Sequence, residues 1–169
     1  MSIVSIIDVI IEIPKGSRNK YEYDHDKKCF KLDRMLFSSM HYPSDYGFIP
    51  GTEAEDDDPL DALVLITEPT FPGCLIQSKP VGLFRMRDEK GPDHKILCVP
   101  INDPLWNHIN RLEDVPPHML IEIEHFFDVY KELEHKKTAV EGWENAEAAR
   151  SIIREAQERY KKIISDRLS

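Results

Sequence analysis

The chain has 169 residues, which is enough for one domain with a buried core, and its 41% hydrophobic and 31% charged residues are those of an ordinary globular protein. Its formal net charge of −9 argues against a nucleic-acid-binding protein, because affinity for phosphate backbones comes from clustered lysine and arginine. An anionic substrate remains compatible with this charge, since bound metal cations invert the sign of a local site.

Cys29, Cys74 and Cys98 are far apart in the chain and form no CxxC pair. An odd, scattered set predicts a reducing compartment, in which the three side chains act as small buried hydrophobes rather than as disulfides. The apolar N-terminal run has no basic segment before it and contains Asp8 and Glu12, so it does not resemble a signal peptide. No run reaches the roughly 20 apolar residues of a membrane span. We therefore expect a cytoplasmic protein without a membrane partner.

Short apolar or alternating runs, broken by Pro, Gly and Asp, fill the first hundred residues and predict β-strands. These runs lie at 3–13, 20–24, 29–33, 62–67, 80–87 and 94–99. The connection between the second and the third run resembles a hairpin turn.

From about residue 116 the hydrophobic residues recur in steps of three and four, which is typical of amphipathic helices. The first helix is predicted to begin at Pro116 and Pro117 and to contain Tyr130 and Lys131 near its end. A second helix is predicted to follow the EGWENAEAA segment. Together the elements predict one α+β domain over residues 1–169, with a small, closed β-sheet body and helices packed against it.

An acidic segment, residues 55–61, directly precedes the apolar run ALVLIT. Acidic runs are usually solvated loops. In this segment a proline stiffens the turn and the following strand fixes the direction of Asp61, so the carboxylates of Asp56, Asp58 and Asp61 are expected to converge. Their mutual repulsion favours a bound divalent cation. The segment is not an EF-hand loop, because Asp61 stands at the glycine position, and the all-oxygen ligands favour Mg²⁺, Mn²⁺ or Ca²⁺ over zinc.

A second acidic cluster contains Asp88, Asp93 and Lys95 and lies in the predicted turn between two strands. Alone it is an ordinary β-turn, but together with the first cluster it supplies further oxygen ligands and a lysine. The other candidate cations are Lys20, Arg34 and Lys131. Each of them taken singly is an ordinary partner of a surface ion pair. Taken together with the acids, they predict an anion cradle that faces a metal-binding wall, and this combination suits phosphoryl transfer to water.

Six segments, in this order, resemble those of family I soluble inorganic pyrophosphatases of the prokaryotic type. They are IEIPKGSRNKYEYD, DR followed by YPSDYGFIP, DDDPLDALVL, RDEKGPDHK, HFFDVYKELE and EGWENAEAA, and they span residues 11 to about 150. The resemblance implies a five-stranded OB-like closed β-barrel flanked by two main α-helices, and a homohexamer. It also implies hydrolysis of pyrophosphate to two phosphates by a metal-activated water, with several Mg²⁺ ions in each active site.

The resemblance further implies roles for individual residues. The general base falls on Asp58. The metal ligands fall on Asp56, Asp61, Asp88 and Asp93. Substrate contacts fall on Lys20, Arg34, Tyr46 and Tyr130, with Lys95 and Lys131 as further cations. Glu12 and Glu22 match acidic residues that line the site, and Tyr42 matches a site tyrosine whose role stays open. Some bacterial members pair two histidines on the first long helix, where this chain has His125 and Val129, so the stability of a hexamer is also open.

Two other functions remain as alternatives. A non-catalytic OB-type binding module would need exposed basic and aromatic residues along a sheet face, whereas this chain is acidic and its acids cluster in loops. A broader metal-dependent phosphatase or a nucleotide pyrophosphohydrolase would share the same metal ligands. The compact predicted site favours a small substrate over a nucleotide.

Overall fold

The computed structural model describes residues 5–169 of the chain. Its strands are β1 (Ile7–Ile13), β2 (Asn19–Asp24), β3 (Cys29–Met35), β4 (Asp45–Ile49), β5 (Leu60–Val64), β6 (Leu75–Asp88), β7 (Gly91–Pro92), β8 (Lys95–Pro100) and β9 (Ala139–Glu144). Its α-helices are α1 (Pro117–Val129) and α2 (Ala146–Leu168), and short 3₁₀ turns cover Leu112–Asp114 and Glu132–Glu134. Over this part of the chain, neither helix has the length and apolar character that crossing a bilayer requires.

The strands form one large sheet and one hairpin. The order in the large sheet is β1-β4-β5-β8-β6-β7, and β9 pairs with β6. Because β1 pairs with β6 as well as with β4, the pairings of β1, β4, β5, β8 and β6 return to the strand where they began. The pairing of β5 with β8 is parallel and the others are antiparallel. The hairpin of β2 and β3 confirms the turn expected between the second and third predicted strands.

Each helix covers its own apolar cluster. Phe126 and Phe127 of α1 pack among aromatic side chains of the sheet, including Tyr46 and Phe84. Helix α2 begins at an Asn145 cap, whose side chain accepts a hydrogen bond from the backbone N–H of Ala148 at 2.9 Å. Its buried residues join a second cluster with β1, β5 and β8. The predicted α+β class with two main helices around a sheet core is therefore confirmed.

Gly47 permits a close approach between two of the strands that carry site residues. A Cβ atom at this position in β4 would overlap the carbonyl oxygen of Ile10 in β1. Any larger residue would push β4 away from β1, and with it Tyr46 and the neighbouring β5.

Several predicted boundaries are wrong. The patterns miss β4, which is buried at every position and so shows no alternation, and β9, where Gly142 lies at a register shift. Helix α1 ends before Tyr130 and Lys131, and α2 begins inside the NAEAA segment rather than after it. Residues 3 and 4 of the first predicted strand lie outside the described residues.

The prediction that the cysteines are not in disulfides is correct for all three, but the prediction that they are buried is correct for only one. All three thiols are free, but Cys98 alone is buried, whereas Cys74 is half-buried and Cys29 is exposed. Cys29 begins β3, a strand of the separate hairpin that leaves most of its positions exposed.

Candidate active site

Side chains from both acidic clusters meet in one cleft with a volume of about 320 Å³. The cleft lies between β1, the β2–β3 hairpin, the turn before β5, the β6–β8 connection and the segment after α1. The predicted residues that line it are Glu12, Lys20, Glu22, Tyr46, Asp56, Asp58, Asp61, Asp88, Asp93, Lys95, Tyr130 and Lys131. The structure thus brings together residues that are up to about 120 positions apart in the chain.

The acidic turn before β5 is held by its own backbone. The N–H of Ala54 donates to the carbonyl oxygen of Asp58 at 2.7 Å, and Asp57 between them adopts a left-handed conformation with φ of 65°. The side chain of Asp56 accepts a hydrogen bond from the backbone N–H of Asp58 at 3.2 Å. Asp56 is half-buried and Asp58 is exposed, so the turn presents two carboxylates in different surroundings.

Lys95 lies at the centre of the acidic groups. Its Nζ atom is 2.8 Å from Asp61 Oδ2, 2.8 Å from Asp93 Oδ1 and 2.8 Å from the hydroxyl of Tyr46. The lysine side chain is only 2% exposed. Across residues 5–169, no three acidic, histidine or cysteine side chains are arranged around a common point as metal ligands. Two of the predicted ligands instead converge on this ammonium group.

The pKa values of the two aspartates move in opposite directions. Burial raises the pKa of Asp61 to about 6, although the charge of Lys95 opposes the shift. Burial is also the largest single influence on Asp93, but Lys95, a hydrogen bond with Asp61 and the charge of Lys131 together outweigh it and lower the pKa of that carboxyl group. Asp56, which is farther from the ammonium group, has its pKa raised chiefly by burial and then by the charge of Asp58. The cleft therefore holds more negative charge than Lys95 alone neutralises.

Glu12 has a partner despite its position in an apolar strand. Its Oε2 atom accepts a hydrogen bond from the backbone N–H of Tyr23 at 2.9 Å, so the side chain links β1 to the hairpin. Burial raises the pKa of Glu12 to about 7, and the hydrogen bond from Tyr23 only partly offsets this effect. At neutral pH the carboxyl group of Glu12 in the cleft is therefore only partly ionised.

The other cations and tyrosines of the cleft also lie next to its acidic groups. Lys131 Nζ is 3.6 Å from Asp88 Oδ2 and 5.4 Å from the centre of the Tyr130 ring. Lys20 Nζ is 3.8 Å from Glu22 Oε2, as expected for residues two positions apart on one face of β2. Burial raises the pKa of the Tyr130 hydroxyl, which stays a hydrogen-bond donor at neutral pH.

Arg34 and Tyr42 lie beside the cleft rather than in its lining. The guanidinium group of Arg34 is paired with Asp33 and with Glu134, whose side chain is only 5% exposed. Its Nη2 atom donates to Glu134 Oε2 at 3.3 Å, and its Nε atom lies 2.7 Å from Oε1 without the alignment of a hydrogen bond. Asp33 also accepts a hydrogen bond from Lys20 at 3.2 Å, so Arg34 connects to the cleft through this carboxylate.

Other residues line the cleft that the sequence analysis does not select. They are Ile13, Tyr21, Tyr23, His25, Phe48, Pro59 and Lys90. Lys90 lies within the second acidic cluster, and its position between Asp88 and Asp93 could have indicated that it lines the site. Tyr23 shares the hairpin strand of Lys20 and Glu22, but it alternates onto the opposite face in the pattern, so spacing alone did not indicate it.

The chemistry of the lining residues fits hard divalent cations and a phosphate-containing anion. Asp56, Asp61, Asp88 and Asp93 offer only oxygen atoms, which Mg²⁺ and Mn²⁺ prefer. The lysines and tyrosines supply the donors that bind phosphate oxygens. A polyanion in this cleft would lie next to carboxylates, and bound cations would make that contact favourable.

Comparison with known proteins agrees with this chemistry. The family model described as inorganic pyrophosphatase matches residues 9–161. The chain belongs to the inorganic pyrophosphatase family. It is 66% identical over 152 residues to the inorganic pyrophosphatase of Methanosarcina acetivorans, covering 90% of each chain. It is also 49% identical over 156 residues to that of Synechocystis sp., covering 92% of each chain. The crystal structure of inorganic pyrophosphatase from Thermus thermophilus superposes with a TM-score of 0.90 at 47% identity, covering 92% of this chain and 91% of the other.

Proposed function

We propose that the protein hydrolyses inorganic pyrophosphate to two phosphates in the cleft described above, with several Mg²⁺ ions as cofactors. The observation that carries this proposal is the meeting, in one cleft, of four predicted aspartate ligands with Asp58 and with lysines. Membership of the inorganic pyrophosphatase family supports it. In reaction terms the protein is an inorganic diphosphatase, a hydrolase of the phosphoanhydride bond.

The proposed metal ligands are Asp56, Asp61, Asp88 and Asp93. Bound Mg²⁺ supplies neutralisation of the phosphate oxygens and makes the attacking water more acidic. Lys95 Nζ lies 2.8 Å from one carboxylate oxygen of each of Asp61 and Asp93, so these two proposed ligands already lie near each other. Glu12 and Glu22 complete the acidic lining and would contact ions directly or through water.

Asp58 is the proposed general base. Its carboxylate is exposed, while the backbone of the same residue closes the acidic turn through the hydrogen bond from Ala54. A group in this position accepts the proton of the attacking water while its neighbour Asp56 remains free to act as a ligand. The base therefore belongs to the same short segment as the metal site, which fixes the distance between them.

The substrate is proposed to bind to the lysine and tyrosine side chains of the cleft. Lys20, Lys95 and Lys131 neutralise phosphate oxygens, and the hydroxyl groups of Tyr46 and Tyr130 donate hydrogen bonds to them. Arg34 acts on the substrate only if it leaves the carboxylates that hold it here.

Four further features are part of the proposal. We infer a five-stranded OB-like closed β-barrel, which the ring of pairings from β1 back to β1 supports. We also infer one domain over residues 1–169 and a homohexamer, which light scattering would contradict with a single species near the monomer mass of 19.7 kDa. A cytoplasmic location is consistent with the three free cysteines.

The test compares pyrophosphate, tripolyphosphate and ATP side by side, with Mg²⁺, by phosphate release. Pyrophosphate is expected to be hydrolysed fastest by a wide margin, because the lysines of the cleft can neutralise its two phosphoryl groups. Faster hydrolysis of ATP would indicate a nucleotide pyrophosphohydrolase. No turnover of any of the three would indicate a binding module instead.

A further inference from the structure

The acidic turn, residues 53–58, is attached to α2 by two hydrogen bonds that the proposed reaction does not use. Arg159 Nη1 donates to the carbonyl oxygen of Glu53 at 2.6 Å. The backbone N–H of Glu53 in turn donates to the carbonyl oxygen of Ala156 at 3.0 Å. Both polar groups of the Glu53 backbone are thus held by the middle of α2, and Arg159 is 106 residues away from Glu53 along the chain.

Apolar contacts attach the same turn to the same part of α2. Ala54 and Leu60, on the two sides of the acidic residues, pack in one cluster with Ile153 and Ala156. A second cavity of about 40 Å³ lies between the turn and the helix, and Arg159 lines it. Asp56 lines both this cavity and the large cleft, so the backbone of the acidic turn separates the two.

We propose that Arg159 is a positioning residue for the metal site, which acts through Glu53 on the carboxylates of Asp56 and Asp58. This inference rests on the proposed function, since it takes these aspartates to work with bound Mg²⁺. A hydrogen bond from a guanidinium group is charge-assisted and stronger than a neutral one, so it holds the Glu53 carbonyl in place.

The turn transmits this constraint because it is rigid within itself. The hydrogen bond from Ala54 to Asp58 and the left-handed Asp57 fix its shape, so loss of the Arg159 hydrogen bond, which leaves the Glu53 backbone held only through Ala156, shifts the turn as a unit. Metal ligands tolerate such displacement poorly, and loss of the outer partners of ligands typically weakens metal binding about 10- to 100-fold.

The experiment measures Mn²⁺ binding to the full chain, with free Mn²⁺ detected by electron paramagnetic resonance. Arg159→Met keeps much of the side-chain length and removes the donors, and it is expected to raise the Kd for Mn²⁺ about tenfold. Arg159→Lys keeps one donor without the planar geometry, and its Kd is expected to rise about threefold. Arg154→Met, at an exposed position of the same helix, is the matched control and is expected to stay within twofold of the unsubstituted chain.

The outcomes separate the inference from the proposed function. If the unsubstituted chain does not bind Mn²⁺, the proposed function fails. If it binds and Arg159→Met binds within twofold as tightly, only the role of Arg159 is wrong. Circular dichroism and thermal unfolding in EDTA establish that each variant is folded. If Arg159→Met does not fold, Arg159→Lys decides the question, and an unchanged Kd in that variant contradicts the proposal.

Discussion

Asp61 and Lys95 are register partners in the parallel pairing of β5 with β8, and their charged groups lie 2.8 Å apart inside the protein. The backbone pairing therefore fixes the distance between a proposed metal ligand and the only buried ammonium group that contacts it among the described residues. This relationship makes the stability of the metal-free protein depend on the same residues as the proposed reaction.

Replacement of Lys95 by Met is expected to destabilise the metal-free protein by about 3 kcal/mol, because it leaves two buried carboxylates without their cation. Mg²⁺ is expected to recover part of that loss, since a divalent ion between Asp61 and Asp93 replaces the missing charge. Urea unfolding in EDTA and in Mg²⁺ measures both quantities. Lys90→Met, at an exposed position of the same cleft, is the control and is expected to change stability by less than about 0.5 kcal/mol. A loss below about 1 kcal/mol for Lys95→Met in EDTA would contradict this explanation.

The raised pKa of Glu12 predicts how the stability of the metal-free protein depends on pH. Burial raises its pKa from 4.5 to about 7, so the folded state binds more protons than the unfolded state between these values. The contribution of Glu12 to stability is therefore fully present below pH 4.5 and is lost as the pH rises through 7. The experiment measures the free energy of unfolding of the unsubstituted chain and of Glu12→Gln in EDTA. From pH 5 to pH 8, the value for the unsubstituted chain should fall by about 1–3 kcal/mol more than the value for Glu12→Gln. Parallel pH profiles for the two proteins would show that Glu12 is not the titrating group.

A double-mutant cycle tests the pairing of Arg34 with Glu134. These residues join β3 to the 3₁₀ turn after α1, and Glu134 is nearly buried, so their coupling energy is expected to be about 1–3 kcal/mol in the absence of substrate. The cycle compares Arg34→Met, Glu134→Gln and the double variant by urea unfolding. Glu132→Gln, at an exposed position of the same turn, gives the matched control. A coupling energy near zero would mean that Arg34 is held too loosely to be kept out of the cleft.

The general-base assignment is tested by Asp58→Asn, which preserves the shape of the side chain and removes its basicity. The kcat for pyrophosphate is expected to fall by about 10² to 10⁴, the usual contribution of a positioned base. The Kd for Mn²⁺ should change little. Asp57→Asn is the matched control, because asparagine tolerates the left-handed conformation of that position, and its kcat is expected to be close to that of the unsubstituted chain. A collapse of Mn²⁺ binding in Asp58→Asn would instead make Asp58 a ligand.

The sequence contains enough information to indicate the acids and the lysines of the site, but not the ion pairs that hold Arg34 beside it. Asp56 and Asp58 lie in the turn before β5 and Asp61 lies in β5 itself, so short-range spacing predicts that the three approach one another. Arg34 contacts Glu134 across 100 residues, and this ion pair depends on how the hairpin lies against the segment after α1. No local pattern carries such information, and the anchor at Arg159 escaped prediction for the same reason.

The fold shows the same limit. Strands β2 and β3, whose sequences mostly alternate polar and apolar residues, are predicted to within two residues of their bounds. Strand β4 has no such pattern, because both of its neighbours and the helix side bury all five positions. The hydrophobic pattern therefore does not indicate the strand that carries Tyr46. Only the resemblance to a known family selected this residue for the site.

The most direct test of the whole account is phosphate release from pyrophosphate by one protein sample under three conditions. The sample is assayed with Mg²⁺, with excess EDTA, and after Mg²⁺ is restored. We expect rapid release in the first condition, loss of release in the second and recovery in the third, because the carboxylates of the cleft repel a polyanion unless cations bridge the two. Appreciable phosphate release in excess EDTA would contradict the account.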